Sequence, residues 1–251
     1  VVRLYDSIDT ALSGLSRAPH PARREGPGDH AHAESGPSAP PRWALRAGTA
    51  FPALANALLD RATRRAGALL IVGFEGPSAR AAAEASVGGE AIAACGGRDL
   101  GEGPGLRWLA HRYRVSYQQS PIFAAGAFAD TMEVAATWDR LAALHAAVRA
   151  AIARFAIVMA HFSHAYPEGC SIYFTFVGRA GAGGPERYDR LWTDALSAAL
   201  DAGGTLSHHH GVGLLKAPFM SREHGEAMET LRAVKRTLDP KGVLNPGKLA
   251  L

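Results

Sequence analysis

Sulfur is scarce and so are long apolar runs. The 251 residues hold two cysteines, Cys95 and Cys170, far apart and without C-x-x-C or other ligand spacing. This argues against a disulfide framework or a zinc ribbon and suits a reducing compartment, with the cytoplasm as the expected location. No apolar run reaches the roughly 18 residues of a membrane span, and the first residues lack the basic-then-apolar pattern of a signal peptide. A nucleotide-binding fingerprint is also missing. The glycine break GGRDLGEGPG (96–105) has no Lys-Ser/Thr and no G-x-G-x-x-G between a strand and a helix, so a plain inter-helix turn is expected there. Repeats at solenoid periods are absent. Charge of one sign does not cluster either: the net +4 and pI near 9.3 come from scattered Arg and Lys. That balance fits an anionic substrate or cofactor, and nothing else in the chain points to nucleic acid. An initiator Met is lacking, and the opening VVRLYD already reads as a strand, so the chain is expected to begin inside something larger.

What is present describes a folded domain. With 47% hydrophobic and 20% charged residues the chain can bury a sizeable core. Strand patterns fall at Val1 to Tyr5, Gly67 to Gly76, Gly126 to Ala135, Ala156 to Tyr166 and Cys170 to Gly178. Helical patterns follow Asp6, an acidic residue suited to a helix N-terminus, and fill Phe51 to Arg64, Pro77 to Ala94, LRWLAHRY, Pro185 to Ala202 and Arg222 to Leu238. The apolar series Trp138, Leu141, Leu144, Val148, Ile152 and Phe155 predicts a long amphipathic helix. Between Arg17 and Arg46 the chain is dense in Pro, Gly and polar residues, the composition of a flexible insertion. Its His20, His30 and His32 are expected to be solvated. Mixed helices and strands, with two strands joined by the tight PEG, predict an α+β fold, an antiparallel sheet covered by helices on one face.

The stretch GGTLSHHHGVGLLK (203–216) carries the strongest chemical signal. Three adjacent imidazoles bury poorly, yet they titrate near neutrality, donate hydrogen bonds, and can hold an anion or move a proton. Gly203, Gly204, Gly211 and Gly213 would let backbone approach a ligand closely. A metal site built on His208 and His210 is set aside because no Asp, Glu or Cys stands nearby in sequence to complete it. Inert packing of the three rings remains the structural alternative. A second constellation lies on the two adjacent strands. Alternation turns Ile172, Phe174 and Phe176 to one face and Tyr173 with Thr175 to the other. Tyr173, His161 and Arg3 could furnish a hydrogen-bond donor, a proton-transfer group and an anion anchor around one pocket.

TLSHHHGVGLLK, the closing VKRTLDPKGVLNPGKL and the opening VVRLYD resemble the C-terminal half of the FAD-linked oxidases of the vanillyl-alcohol oxidase type. The likeness is greatest to the alkyldihydroxyacetonephosphate synthase branch and extends through GGRDLGEGPG, MEVAATWDRL and GCSIYFTF. It implies a cap domain over residues 1–202, interrupted by the 17–46 insertion. Residues 203–251 complete the same domain with the histidine loop, the last helix and the NPGK tail. It further implies FAD, bound mainly by an N-terminal domain absent from this chain. By that resemblance Tyr173, His209 and His210 are catalytic. His208, Arg3 and His161 bind substrate, Asn245 and Lys248 meet the cofactor, and no metal is expected. The implied partners are a small phosphate or hydroxy-acid substrate, with a long-chain lipid and a second copy of the chain as further candidates, and a peripheral membrane location would suit a lipid. Where the synthase branch carries an arginine this sequence has His161, so three readings stay open. They are acyl-for-alkyl exchange in ether-lipid synthesis, FAD-dependent 2-hydroxy-acid dehydrogenation, and an inert truncated cap.

Overall fold

A computed structural model describes residues 1–13, 41–113 and 119–251. Five antiparallel strands form one sheet, β1 (Val2–Tyr5), β2 (Leu69–Val72), β3 (Ala127–Thr137), β4 (Ala156–Ser163) and β5 (Gly169–Arg179), in the order β2-β1-β4-β5-β3. The helices are α1 (Ser7–Ser13), α2 (Arg42–Ala50), α3 (Pro52–Thr63), α4 (Ser78–Ala94), α5 (Gly103–His111), α6 (Ser120–Ala124), α7 (Trp138–Ala153), α8 (Gly184–Asp201), α9 (Met220–His224) and α10 (Ala227–Leu238). Among the described residues no helix is long and apolar enough to cross a membrane.

The core lies between the sheet and the pair α7 and α8. Leu144, Val148 and Ile152 of α7 and Leu191, Ala195, Leu196 and Ala199 of α8 are fully buried against Met132, Val134, Val158, Ala160, Ile172, Phe174 and Phe176. Strands β3, β4 and β5 supply every second residue to this layer, as the period of two dictates. Truncating a ring such as Phe174 to alanine would cost about 3–5 kcal/mol. The opposite face of the same strands carries Glu133, His161, Ser171, Tyr173 and Thr175, and the site lies there.

Strand β1 is too short to pair with all of β4. It meets only the last residues, Arg3 opposite Ser163, Leu4 opposite Phe162 and Tyr5 opposite His161. Beyond Tyr5, side chains take over the edge. Asp6 donates its N–H to Ala160 O at 2.9 Å and accepts the Ala160 N–H at 2.8 Å on Oδ2. Asn56 of α3 then donates to Ala156 O at 2.9 Å and accepts from Val158 N at 3.0 Å. The amide thus takes over part of the ladder that a longer strand would have supplied, giving Ala156 O and Val158 N their partners.

Several boundaries differ from the sequence pattern. Residues 42–46, expected in the flexible insertion, belong to α2, and its Leu45 and Thr49 are buried. His20, His30, His32 and the rest of that insertion lie outside the described residues. The helix expected over Arg222 to Leu238 is broken at Gly225, whose φ of 52° and ψ of −128° no helix can accommodate. Strand β4 stops at Ser163 rather than Tyr166, because His164 enters the left-handed region. Helix α6 went unread; its five residues are too few to show a period.

Candidate functional site

The polar face is organised by register. Tyr5 lies opposite His161, His161 opposite Tyr173, and Tyr173 opposite Glu133, so four strands contribute one cross-strand row. Directly opposed residues of antiparallel strands share a face. The rings follow suit: Tyr5 and His161 stand 5.5 Å apart, and His161 and Tyr173 stack at 4.7 Å and 2° from parallel. Arg3 lies two residues before Tyr5 on the same face and rests over the Trp108 ring of α5, 5.5 Å from its centroid. Arg3, His161 and Tyr173, read in sequence as one pocket, do share this face.

The histidine loop is fastened to the end of that row. As the chain leaves α8, Thr205 bridges to Ala135, donating its N–H at 2.8 Å and accepting at 3.2 Å. Gly204 makes this approach possible: a Cβ there would sit 2.6 Å from Leu144 Cδ1 and 3.0 Å from Ala135 O. Its role is close packing against the protein itself rather than the approach to a ligand expected from sequence. Beyond it, three successive amides converge on the fully buried carboxylate of Glu133. His208 N donates to Oε2 at 3.0 Å, His209 N to Oε1 at 3.1 Å and His210 N to Oε2 at 3.2 Å. Lys216, buried where the loop ends, donates from Nζ to Glu133 O at 3.0 Å. The three backbones are thereby fixed while the three side chains remain exposed. Their local cost is offset by an anchor the sequence pattern did not reveal.

Contacts among the rings are close. Tyr173 Oη lies 3.1 Å from His209 Nε2 and 3.3 Å from its Nδ1. The Nδ1 atoms of His208 and His209 are 3.1 Å apart. His210 stands edge-on to Tyr173 at 5.3 Å, and Tyr166 is 5.4 Å from His208. On the other flank Asp9 of α1 puts Oδ2 3.5 Å from His161 Nδ1, with both side chains largely buried.

Burial and charge set the protonation states. Burial pushes the Tyr173 phenol above its ordinary value, only partly opposed by a hydrogen bond with Ser171, so it holds its proton at neutral pH. Burial alone would raise Glu133 as well. The amides of His208, His210 and His209, with the charge of the His209 ring, outweigh it and hold the carboxyl below the usual range. His210 is lowered, by burial first and then by the charges of His209 and Lys216 against the opposing pull of Glu133. Burial also lowers Lys216, opposed by Glu133 and Glu223.

Glu133, Asp9 and Lys216 were not singled out in sequence. Glu133 had a signal: with Asp130 it is one of two carboxylates in the strand-like GAFADTMEVA, where an unpartnered buried charge is costly. It also corrects the reasoning against a metal, since an acid does stand beside the histidines. Glu133, His208 and His209 bring one oxygen and two nitrogens within 4.8 Å of one another. That spacing suits a cation, on a carboxylate already holding three amides. Asn245 and Lys248 take no part in this cluster among the described residues. They follow α10 in a turn ordered by Asp239, which accepts Val243 N and Leu244 N, each at 2.9 Å.

The glycine break forms the turn between α4 and α5. The N–H groups of Gly96, Gly97 and Gly101 are spent on Ala93 O, Ile92 O and Asp99 Oδ1, forming the inter-helix turn expected.

Comparison with known proteins agrees with this architecture. Alkyldihydroxyacetonephosphate synthase from Trypanosoma brucei brucei is 32% identical over 190 residues, covering 72% of this chain and 31% of that protein. The protein of the same name from Dictyostelium discoideum is 29% identical over 197 residues, with the same two coverages of 72% and 31%. The chain therefore spans about a third of the length of these relatives. A solved alkyldihydroxyacetonephosphate synthase structure superposes on 99% of this chain and 39% of its own, with a TM-score of 0.59 at 20% identity, a likeness of fold. Residues 33–249 match the family described as FAD linked oxidases, C-terminal domain, and with a match of that extent the chain belongs to that family.

Proposed function

We propose that this chain forms the substrate side of a FAD-dependent enzyme of the alkyldihydroxyacetonephosphate synthase type. The reaction exchanges the acyl chain of an acylated dihydroxyacetone phosphate for an alkyl chain. A fatty alcohol enters, a fatty acid leaves, and no electrons are passed on. The observation that carries the reading is the contact of Tyr173 Oη with His209, on a loop whose backbone is fixed by Glu133.

The chain's donors fit the edge of a flavin and not its dinucleotide. Arg3, the Tyr173 phenol and the exposed imidazoles can hydrogen-bond ring heteroatoms, whereas the amides of Gly96, Gly97 and Gly101 are already spent within their turn. The dinucleotide is then held by another part of the protein, with Asn245 and Lys248 assigned to the cofactor side. When bound, FAD would supply the isoalloxazine ring that the exchange chemistry requires.

The remaining work falls to this chain. Tyr173 carries the proton that must move. To act as a base its phenol first passes that proton to His209 Nε2, 3.1 Å away, and then accepts one from the substrate carbon beside the ketone. His210 and His208 flank the same recess and hold the phosphate, with Arg3 adding a permanent positive charge. His161, stacked on Tyr173 and backed by Asp9, keeps the phenol in place and contacts substrate from the other flank.

The test uses the full-length protein that contains this chain, incubated anaerobically with palmitoyl-dihydroxyacetonephosphate, hexadecanol, D-lactate or glycolate. Release of palmitate with incorporation of the alcohol, and no bleaching by the hydroxy acids, is the expected result. Bleaching by a hydroxy acid without palmitate release would overturn it in favour of dehydrogenation.

A further inference from the structure

His164 is a fourth histidine in the cluster, and its backbone conformation is an unfavourable one. It follows β4 directly and adopts φ 53°, a left-handed value that glycine takes freely and that side chains, even the more tolerant histidine, take reluctantly. The turn around it is held without help from its ring. Ser163 O accepts from Ser171 Oγ at 2.8 Å, and Tyr166 N donates to Gly169 O at 2.8 Å. The side chain is exposed, so it fills no core. What it does is stand over the site. Its ring is 4.8 Å from His209 at 64°, 5.5 Å from His208 and 6.3 Å from Tyr173.

We propose that His164 is a further phosphate-contacting residue of this site, donating a ring N–H to the ligand beside His208 and His209. The inference rests on the substrate reading above and deepens it. A backbone conformation that a glycine would take more easily, kept for an exposed ring aimed at three functional groups, is the usual mark of a side chain retained for its contacts. Electrostatics agree. Burial first, and then the charges of His209, His208 and Arg3, lower the proton affinity of His164. An anion entering beside His164 offsets that effect.

The experiment titrates inorganic phosphate into isotope-labelled chain and follows the imidazole resonances. The variants H164G and H164N, both tolerant of left-handed backbone, accompany it. Phosphate is expected to move His164 together with His208, His209 and His210. Both variants should melt no lower than the parent and bind phosphate roughly fivefold more weakly, the scale of one hydrogen bond. If the other three histidines respond while His164 does not, or if both variants bind as the parent does, His164 is only a turn residue and the substrate reading stands. If none of the four responds, the substrate reading fails and the inference falls with it.

Discussion

Glu133 Oε1 accepts the backbone N–H of His209 at 3.1 Å and lies 3.1 Å from that residue's own Nδ1. One buried carboxylate therefore fixes both the backbone and the ring environment of the residue that touches Tyr173. Replacing it by glutamine keeps the shape but turns an NH2 group toward converging amides. Leaving such groups unsatisfied costs about 1–3 kcal/mol. Glu133→Gln should lower stability by that amount in urea unfolding and broaden the amide signals of His208 to His210. Because the folded carboxyl is held below its unfolded value, its stabilisation is complete above the ordinary carboxylate range and is lost as pH falls through the lowered folded value. The variant should therefore show a flatter acid limb in stability measured against pH.

Tyr173→Phe separates ring from hydroxyl. The stack on His161 survives, while the phenol's contacts with His209 and Ser171 disappear. Stability should change by about 0.5–1.5 kcal/mol for each hydrogen bond lost. On the proposed reading, turnover should fall about 10²–10⁴-fold, the range for loss of a general acid or base, with KM little changed. A fall confined to KM would remove Tyr173 from proton transfer.

The main layers of this fold were legible in the sequence because periodicity records them. Ile172, Phe174 and Phe176 alternate with Tyr173 and Thr175, and the structure turns them to opposite faces as expected. Helix α7 follows its apolar series for the same reason. The histidine triple stood out by composition. What the sequence could not supply was register. Glu133 and Tyr173 are 40 positions apart, and only the β3 to β5 pairing sets them side by side. Asp9 likewise reaches His161 because Asp6 ties the start of α1 to Ala160, a tertiary hydrogen bond without any local pattern. Helix α2 was hidden because Pro-rich sequence runs directly into it, and Leu45 with Thr49 gives too brief an apolar face to read.

Asp9→Asn tests whether His161 needs its carboxylate. At 3.5 Å from Nδ1 the charge favours the orientation in which that nitrogen carries a proton. The amide keeps the volume and removes the charge. Turnover should fall about tenfold, less than for loss of a proton-transfer group, because Asp9 acts through another residue. Nitrogen chemical shifts of His161 should report a changed tautomer, whereas a purely structural role would alter melting and leave the tautomer as it was.

Asn56→Ala removes the side chain that stands in for the missing length of β1. Ala156 O and Val158 N would both lose their partners in a buried setting, and the carboxamide's bond to Pro52 O at 2.9 Å would go too. With about 1–3 kcal/mol for each buried group left unsatisfied, the variant should lose at least about 2 kcal/mol. Asn56 of α3 holds the start of β4, while His161 sits toward the end of that strand, beyond the Asp6 tether and opposite Tyr173 of β5. The damage should therefore be local: faster amide exchange at Val158 than at Ala160, lower resistance to urea, and unchanged contact between Tyr173 and His209 in the folded fraction. Equal loss of protection along the whole of β4 would instead mean that the strand opens as one unit and that the site depends on this edge.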